Sequence, residues 1–114
     1  MYEYKAIVKR VIDGDTIVLD IDLGFSTWIR DEHFRLAGIN TPELRSKVKE
    51  EKELAEKAKK RLEALCPVGS EQIITTAKAK DKYGRYLAVI HQGNNIFTIN
   101  RTLIDEGLAK PYYE

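Results

Sequence analysis

Between Ile17 and Leu23 the chain alternates strictly: Ile17, Leu19, Ile21 and Leu23 are separated by Val18, Asp20 and Asp22. A period of two sends successive side chains to opposite faces of an extended backbone, so this segment predicts a strand with one buried and one wet face. The β-branched and aromatic residues from Tyr4 to Val11 predict a strand before it, and Asp13-Gly14-Asp15 supplies the turn between the two. After Gly24, residues Thr27 to Ala37 read as a third strand carrying Trp28, Ile29, Phe34 and Leu36. Arg30-Asp31-Glu32 interrupts it, as either a hairpin tip or a bulge.

The period then changes. Pro42 in Asn40-Thr41-Pro42-Glu43 offers no backbone donor and biases Thr41 toward extended dihedrals, which ends the strand. Beyond it Leu54, Ala58, Leu62 and Leu65 recur at helical spacing, and Glu53/Lys57 and Glu56/Lys60 sit four apart with the acid first. The pattern predicts a helix from about Val48 to Leu65, stopped by Cys66-Pro67-Val68-Gly69. Strands are expected at Gln72 to Lys78 and Tyr86 to His91, joined by Asp81 to Arg85. Gly93-Asn94-Asn95 then turns into a short Ile96 to Ile99, and Asn100 is the expected N-cap of a helix Arg101 to Glu106 that stops at Gly107. The order is mainly β, with one helix between the third and fourth strands and a short helix near the C-terminus. It suits a closed or partly closed antiparallel barrel, of which the five-stranded Greek-key OB-fold is the common example.

With 114 residues, one domain over 1–114 is expected. The longest unbroken apolar run is Tyr86 to Ile90, far short of the ~20 residues that span hydrocarbon. MYEYKAIVKR has no apolar stretch resembling a signal peptide, so no membrane partner is expected, and the protein reads as cytoplasmic, or secreted if a leader has been removed. A lone Cys66 excludes an internal disulfide, and no Cys/His cluster has zinc spacing. Lys and Arg number 19 against 18 Asp and Glu, a net charge of +1 that looks wrong for a nucleic-acid partner. The total hides unlike regions: residues 1–43 carry 5 basic and 8 acidic side chains, residues 44–66 carry 8 and 5. Net charge says little about local charge.

Three segments concentrate charge beside turn residues: Asp13-Gly14-Asp15-Thr16, then Phe34-Arg35 with Asn40-Thr41-Pro42-Glu43, then Asp81 to Arg85. Oxygen ligands suit a hard cation such as Ca²⁺, and the planar fork of Arg matches two phosphate oxygens. A carboxylate off the metal could take a proton from an attacking water. The combination fits phosphoryl chemistry, but Asp-Gly and Lys-Tyr-Gly are ordinary turn compositions. On turn chemistry alone hairpin turns with solvated charges are the better reading, with structural ion pairs as the plainer account of the arginines.

VIDGDT (Val11 to Thr16), FRLAGINTPE (Phe34 to Glu43), DKYGR (Asp81 to Arg85) and GLAK (Gly107 to Lys110), in this order, resemble the staphylococcal nuclease (thermonuclease) family. The resemblance implies an OB-fold barrel and a Ca²⁺-dependent phosphodiesterase that cleaves DNA and RNA to 3′-phosphates, with Mg²⁺ or Mn²⁺ as alternative ions. It implies Asp15, Asn40 and the Thr41 carbonyl as the metal site, with Asp13 as a supporting acid. Glu43 would assist the attacking water, and Arg35 and Arg85 would grip the phosphate. Lys82, Tyr83 and Tyr113 would lie beside the nucleotide. The implied partner is single-stranded or locally melted DNA or RNA, bound by a monomer. Two departures stand out. Asn40 takes the place of a metal-binding aspartate, which predicts weaker metal binding and leaves a catalytically attenuated OB-fold module for nucleic acid or protein as the alternative. The chain also ends at Tyr112-Tyr113-Glu114, where the best-known members continue into a further helix.

The remaining chemistry-bearing residues have plainer readings. His33 and His91 lack a second ligand at metal spacing, Cys66 reads as a small buried residue, and Trp28 and Phe34 read as core. Lys47 to Arg61 interleaves basic and acidic side chains as a solvated helix face would.

Overall fold

The computed structural model describes residues 2–81, 83–92 and 97–112, with the backbone alone for 77–80. In chain order the elements are β1 (Tyr2–Asp13), β2 (Thr16–Asp22), β3 (Trp28–Leu36), β4 (Ile39–Asn40), α1 (Lys49–Leu65), β5 (Glu71–Lys80), β6 (Tyr86–His91), α2 (Ile99–Asp105) and β7 (Lys110–Pro111). Five strands close a barrel in the order β1-β2-β3-β6-β5, with β5 returning to β1, while β4 and β7 form a separate two-stranded ladder. The mainly-β, OB-type barrel with two helices is therefore present.

The barrel is not antiparallel throughout, as the hairpin spacing predicts. β3 and β6 pair in parallel through Phe34↔Tyr86, Arg35↔Leu87 and Leu36↔Ala88. The reason is arithmetic: strands that alternate in direction around a ring cannot alternate everywhere when their number is odd, so one seam must be parallel.

Ile17, Leu19 and Ile21 of β2 point into the barrel, where they meet Val8, Phe34, Leu36, Ile74, Ala88 and Ile90. Leu62 and Cys66 at the end of α1, and Ile99 and Leu103 of α2, join the same cluster. Each such fully buried branched side chain contributes about 1.5–3 kcal/mol relative to exposure. Burial raises the Cys66 thiol to about 12, consistent with a packing role. Phe34 is core as expected, but Trp28 is only half-buried, with the Arg30 guanidinium 4.6 Å from its ring centroid.

The predicted wet face of β2 is not wet. Val18 is fully buried and Asp20 is 2% exposed. Opposite Asp20 the register jumps from Leu19↔Glu32 to Ile21↔Ile29, so β3 carries a bulge at Arg30 and Asp31, and Asp31 takes a positive φ of 54°. The polar interruption is thus a bulge rather than a hairpin tip. It aims the Asp31 N–H (2.9 Å) and Arg30 Nη1 (3.0 Å) at the Asp20 carboxylate, with Lys9 Nζ at 3.7 Å. Burial would raise the Asp20 carboxyl, but these donors and charges outweigh it and hold the group below its ordinary range.

α1 buries Ala55, Ala58 and Leu62 and ends as Cys66 N–H bonds the Leu62 carbonyl. The second helix starts earlier than expected. Thr98, not Asn100, is its N-cap, accepting the Arg101 N–H at 3.1 Å, and Ile99 is helical rather than a strand end. Asn100 instead turns inward: its Oδ1 accepts the Ile90 N–H (3.1 Å) while its Nδ2 donates to the Ala37 (2.8 Å) and Ala88 (3.0 Å) carbonyls. Residues 93–96, where a turn and the start of a strand are predicted, lie outside the described set. Gly107, with φ of 76°, ends the helix as expected.

Candidate functional site

The β1–β2 turn, the end of β3 with β4, and the β5–β6 connection open on one end of the barrel. Gly14 is what allows the first of these to sit so close to α1. A Cβ built there would lie 2.7 Å from Ala58 Cβ and 2.9 Å from Thr41 Cγ2, closer than side-chain carbons pack. Only a glycine fits between the helix and the 41–43 segment, and its neighbours Asp13 and Asp15 are carried to the rim together.

Asp15, 8% exposed, is tied from several sides. Its Oδ2 accepts the Thr41 N–H at 3.1 Å and lies 3.6 Å from Arg35 Nη2, and its Oδ1 accepts the Thr16 hydroxyl at 3.2 Å. Asp13 accepts the Asp15 N–H at 3.0 Å. Burial, and then the neighbouring Asp15 carboxyl, raise the Asp13 carboxyl to about 6.

The two arginines are held before any ligand arrives. Arg35 donates from Nη1 to the Ile39 carbonyl (2.9 Å) and Leu36 carbonyl (3.3 Å), and from Nη2 to Asn40 Oδ1 (3.0 Å). Arg85 pairs with Asp81 through Nε (3.0 Å) and Nη2 (2.9 Å), and its Nη1 donates to the Thr16 hydroxyl (3.2 Å). The ion pairs of the plainer reading are therefore real, yet they converge on a common cavity. Each guanidinium also faces an aromatic ring, Arg35 over Tyr112 at 5.1 Å and Arg85 over Tyr83 at 5.3 Å.

The cavity is a cleft of about 670 Å³ lined by Asp13, Asp15, Arg35, Asn40 and Glu43 from the first two segments. Asp81, Tyr83, Arg85 and Tyr112 close its other side. The Glu43 side chain is exposed and has no hydrogen-bond or ion-pair partner among the described residues. Of the expected residues, Asp13, Asp15, Arg35, Asn40, Glu43, Tyr83 and Arg85 line this cleft. Thr41 lies behind it, bonded to Asp15, while Lys82 and Tyr113 fall outside the described residues.

Asp81 and Tyr112 are the residues sequence reasoning passed over. Asp81 was legible as an Asx turn: its Oδ1 accepts the Tyr83 and Arg85 N–H groups, both at 2.9 Å. Those donors and the Arg85 charge overcome burial and keep its carboxyl below the ordinary range. Tyr112 carries no local signal; the β4–β7 ladder and the bond from the Tyr112 N–H to the Gly38 carbonyl (2.8 Å) bring it to the cleft. His33 is exposed and His91 bonds Thr75, both away from the cleft.

The cleft's donors are all oxygens, the chemistry a hard divalent cation takes. Among the described residues no group of three acidic, His or Cys ligands gathers, so two carboxylates and neutral oxygens would have to suffice. The Asn40 amide oxygen is shared with Arg35.

Comparison with known proteins supplies an independent line. The family model described as staphylococcal nuclease homologue matches residues 33–114. A thermonuclease of Staphylococcus intermedius is 35% identical over 91% of this chain and 57% of its own length. A thermonuclease of Staphylococcus hyicus is 32% identical over 94% of this chain and 57% of its own. Endonuclease YhcR of Bacillus subtilis is 30% identical over 97% of this chain, which corresponds to 9% of that protein. The chain thus spans little more than half the length of these thermonucleases.

Proposed function

The chain belongs to the family of staphylococcal nuclease homologues, and from that premise we propose that it hydrolyses phosphodiester bonds of DNA or RNA. Within this reading base specificity is low, the substrate is single-stranded or locally melted, and 3′-phosphates are left. The observation that carries the proposal is the convergence of three distant sequence segments on one cleft, with two guanidiniums among four carboxylates, those of Asp13, Asp15, Glu43 and Asp81.

The phosphate is bound by Arg35 and Arg85. Because main-chain carbonyls and Asp81 already fix their planes, little side-chain entropy is lost when they meet phosphoryl oxygens. Negative charge that builds on those oxygens as water attacks the phosphorus in line is met by both cations. Glu43, whose carboxylate is uncommitted among the described residues, takes the water proton. The P–O5′ bond breaks and the departing oxygen leaves with a proton from solvent. Tyr83 and Tyr112 offer flat surfaces at the rim, and contacts made chiefly to phosphate position the strand without reading its sequence. Asp15, the Asn40 amide oxygen and the Thr41 carbonyl would hold a divalent cation such as Ca²⁺, with Asp13 beside them. Bound there, the ion supplies Lewis-acid polarisation of the phosphoryl group.

A second reading, an attenuated module that binds nucleic acid or protein without efficient cleavage, is favoured by the neutral Asn40 and its bond to Arg35. Incubation of plasmid and RNA with the protein, in Ca²⁺ or in EGTA, decides between them. The nuclease reading expects digestion that needs Ca²⁺ and that Glu43→Gln depresses while nucleotide binding persists. Absence of digestion by folded protein in both conditions would remove it.

A further inference from the structure

A second cavity, of about 360 Å³, adjoins the first, and Asn40 and Glu43 line both. Its walls come from the 40–43 segment, the first turns of α1 and the 107–110 segment. Pro42, Leu54, Leu108 and Ala109 make it partly apolar, and Glu43, Glu51 and Lys110 supply its charges.

Resting on the phosphodiesterase reading above, we infer that this second cavity is a subsite for the nucleobase on the far side of the scissile phosphate. Three observations lead there. Glu43 is the group from which the attacked phosphate cannot be distant, and it stands between the two cavities, so a strand with its phosphate at Glu43 has one neighbour on each side. The charges then select which part of that neighbour enters. Glu51, on the wall of this cavity alone, would repel a second phosphate, whereas a neutral base is tolerated and can donate its ring or amino N–H groups to carboxylate oxygens. Finally, Leu54, Leu108 and the Pro42 ring offer a base the apolar contact it needs, and Lys110 is an exposed cation near which the next phosphate can lie.

The test is Leu54→Trp, which fills the cavity from α1, compared with wild type on two kinds of substrate. One is a dinucleoside phosphate, with a base on each side. The others are the two nucleoside methyl phosphates, 3′ and 5′, each with a base on one side alone. The subsite predicts that the kcat/KM preference for the dinucleotide over the better methyl ester falls by about tenfold, the low end of what one base contact is worth. Lys110→Ala, an exposed change that spares the core, should lower the slope of log affinity against log salt for a short oligomer by roughly one. Direct binding of a dinucleotide carrying 2-aminopurine, followed by its fluorescence in EDTA, separates this inference from the nuclease reading. If wild type binds the probe and Leu54→Trp does not, the subsite stands even where no cleavage is found. If wild type cleaves but Leu54→Trp keeps the full dinucleotide preference and probe binding, the subsite is refuted while the nuclease is not.

Discussion

Gly14→Ala should unfold the protein several degrees earlier, although the backbone at this position places no demand for glycine: unlike Gly24, Gly38 and Gly107, it is not at positive φ. A Gly→Ala change that the backbone tolerates ordinarily stabilises by about 0.4–1 kcal/mol through the unfolded chain. Here the added methyl would sit 2.7 Å from Ala58 Cβ and 2.9 Å from Thr41 Cγ2, and neither is the far end of a flexible side chain. Overpacking of this kind costs about 1–3 kcal/mol. At about 2.1 cal/mol/K per residue, 114 residues unfold with an entropy of about 240 cal/mol/K, so 1 kcal/mol moves Tm by about 4 °C. The expected loss is therefore about 4–12 °C by circular dichroism. Because α1 and the 41–43 segment must part to admit the methyl, nucleotide binding in the cleft should weaken as well. Ala58→Gly with Thr41→Ser removes the two nearest carbons and leaves the Cβ of residue 41 at 3.1 Å. Ala58→Gly alone costs about 1 kcal/mol of helix propensity, so the informative quantity is the coupling. The cost of Gly14→Ala should largely vanish in that background. A Tm at or above wild type for Gly14→Ala, or an equal cost in both backgrounds, would refute the packing argument.

Asn100→Ala strips partners from the Ile90 N–H and from the Ala37 and Ala88 carbonyls, and should cost about 2–4 kcal/mol in urea denaturation without altering the m value. Asp20→Asn should cost about 1–2 kcal/mol at neutral pH, since Lys9 and Arg30 are largely exposed and can rehydrate. Because the folded Asp20 carboxyl lies below its ordinary value, its contribution is complete above the unfolded pKa of about 3.9 and is lost as pH falls through the folded one. Wild type and variant stabilities should therefore converge in acid, as stability measured against pH will show. Asn40→Asp adds a carboxylate to the cleft and should tighten Ca²⁺ binding about tenfold by calorimetry, about 1.4 kcal/mol. Unchanged affinity would mean that position 40 does not face the ion.

Much of the barrel could be read from local chemistry because local chemistry decides it. The period-two stretch from Ile17 is β2, the helical spacing of Ala58 and Leu62 is the buried stripe of α1, and Gly107 ends α2 at positive φ. The failures share a cause as well: each depends on a residue distant in sequence. Asp20 reads as a wet-face acid until the bulge at Arg30 and Asp31 covers it. Asn100 reads as a cap because Asn favours caps, but three main-chain groups of the barrel claim its amide and leave the cap to Thr98. Gly14 reads as a turn glycine, and its actual constraint is contact with α1.

The parallel seam is the most consequential of these long-range features. Five strands in a ring require one such pairing, and no hairpin signal can announce it, because the strands it joins are far apart in the chain. Here it falls between β3 and β6 and is short, joining 34–36 to 86–88. In this register Tyr86, the first residue of β6, sits beside Phe34, and Arg35 sits beside Leu87, so Arg85 enters the sheet close to Arg35. Arg85, pinned by Asp81 in the 81–85 connection, then reaches across to Thr16 on β2, whose own register partner is Arg35. Two guanidiniums 50 residues apart are thus brought to one cleft by a pairing that closure of the barrel demands. A change that weakens the seam, more than one that alters either arginine's immediate neighbours, should uncouple the two cations while leaving each ion pair intact.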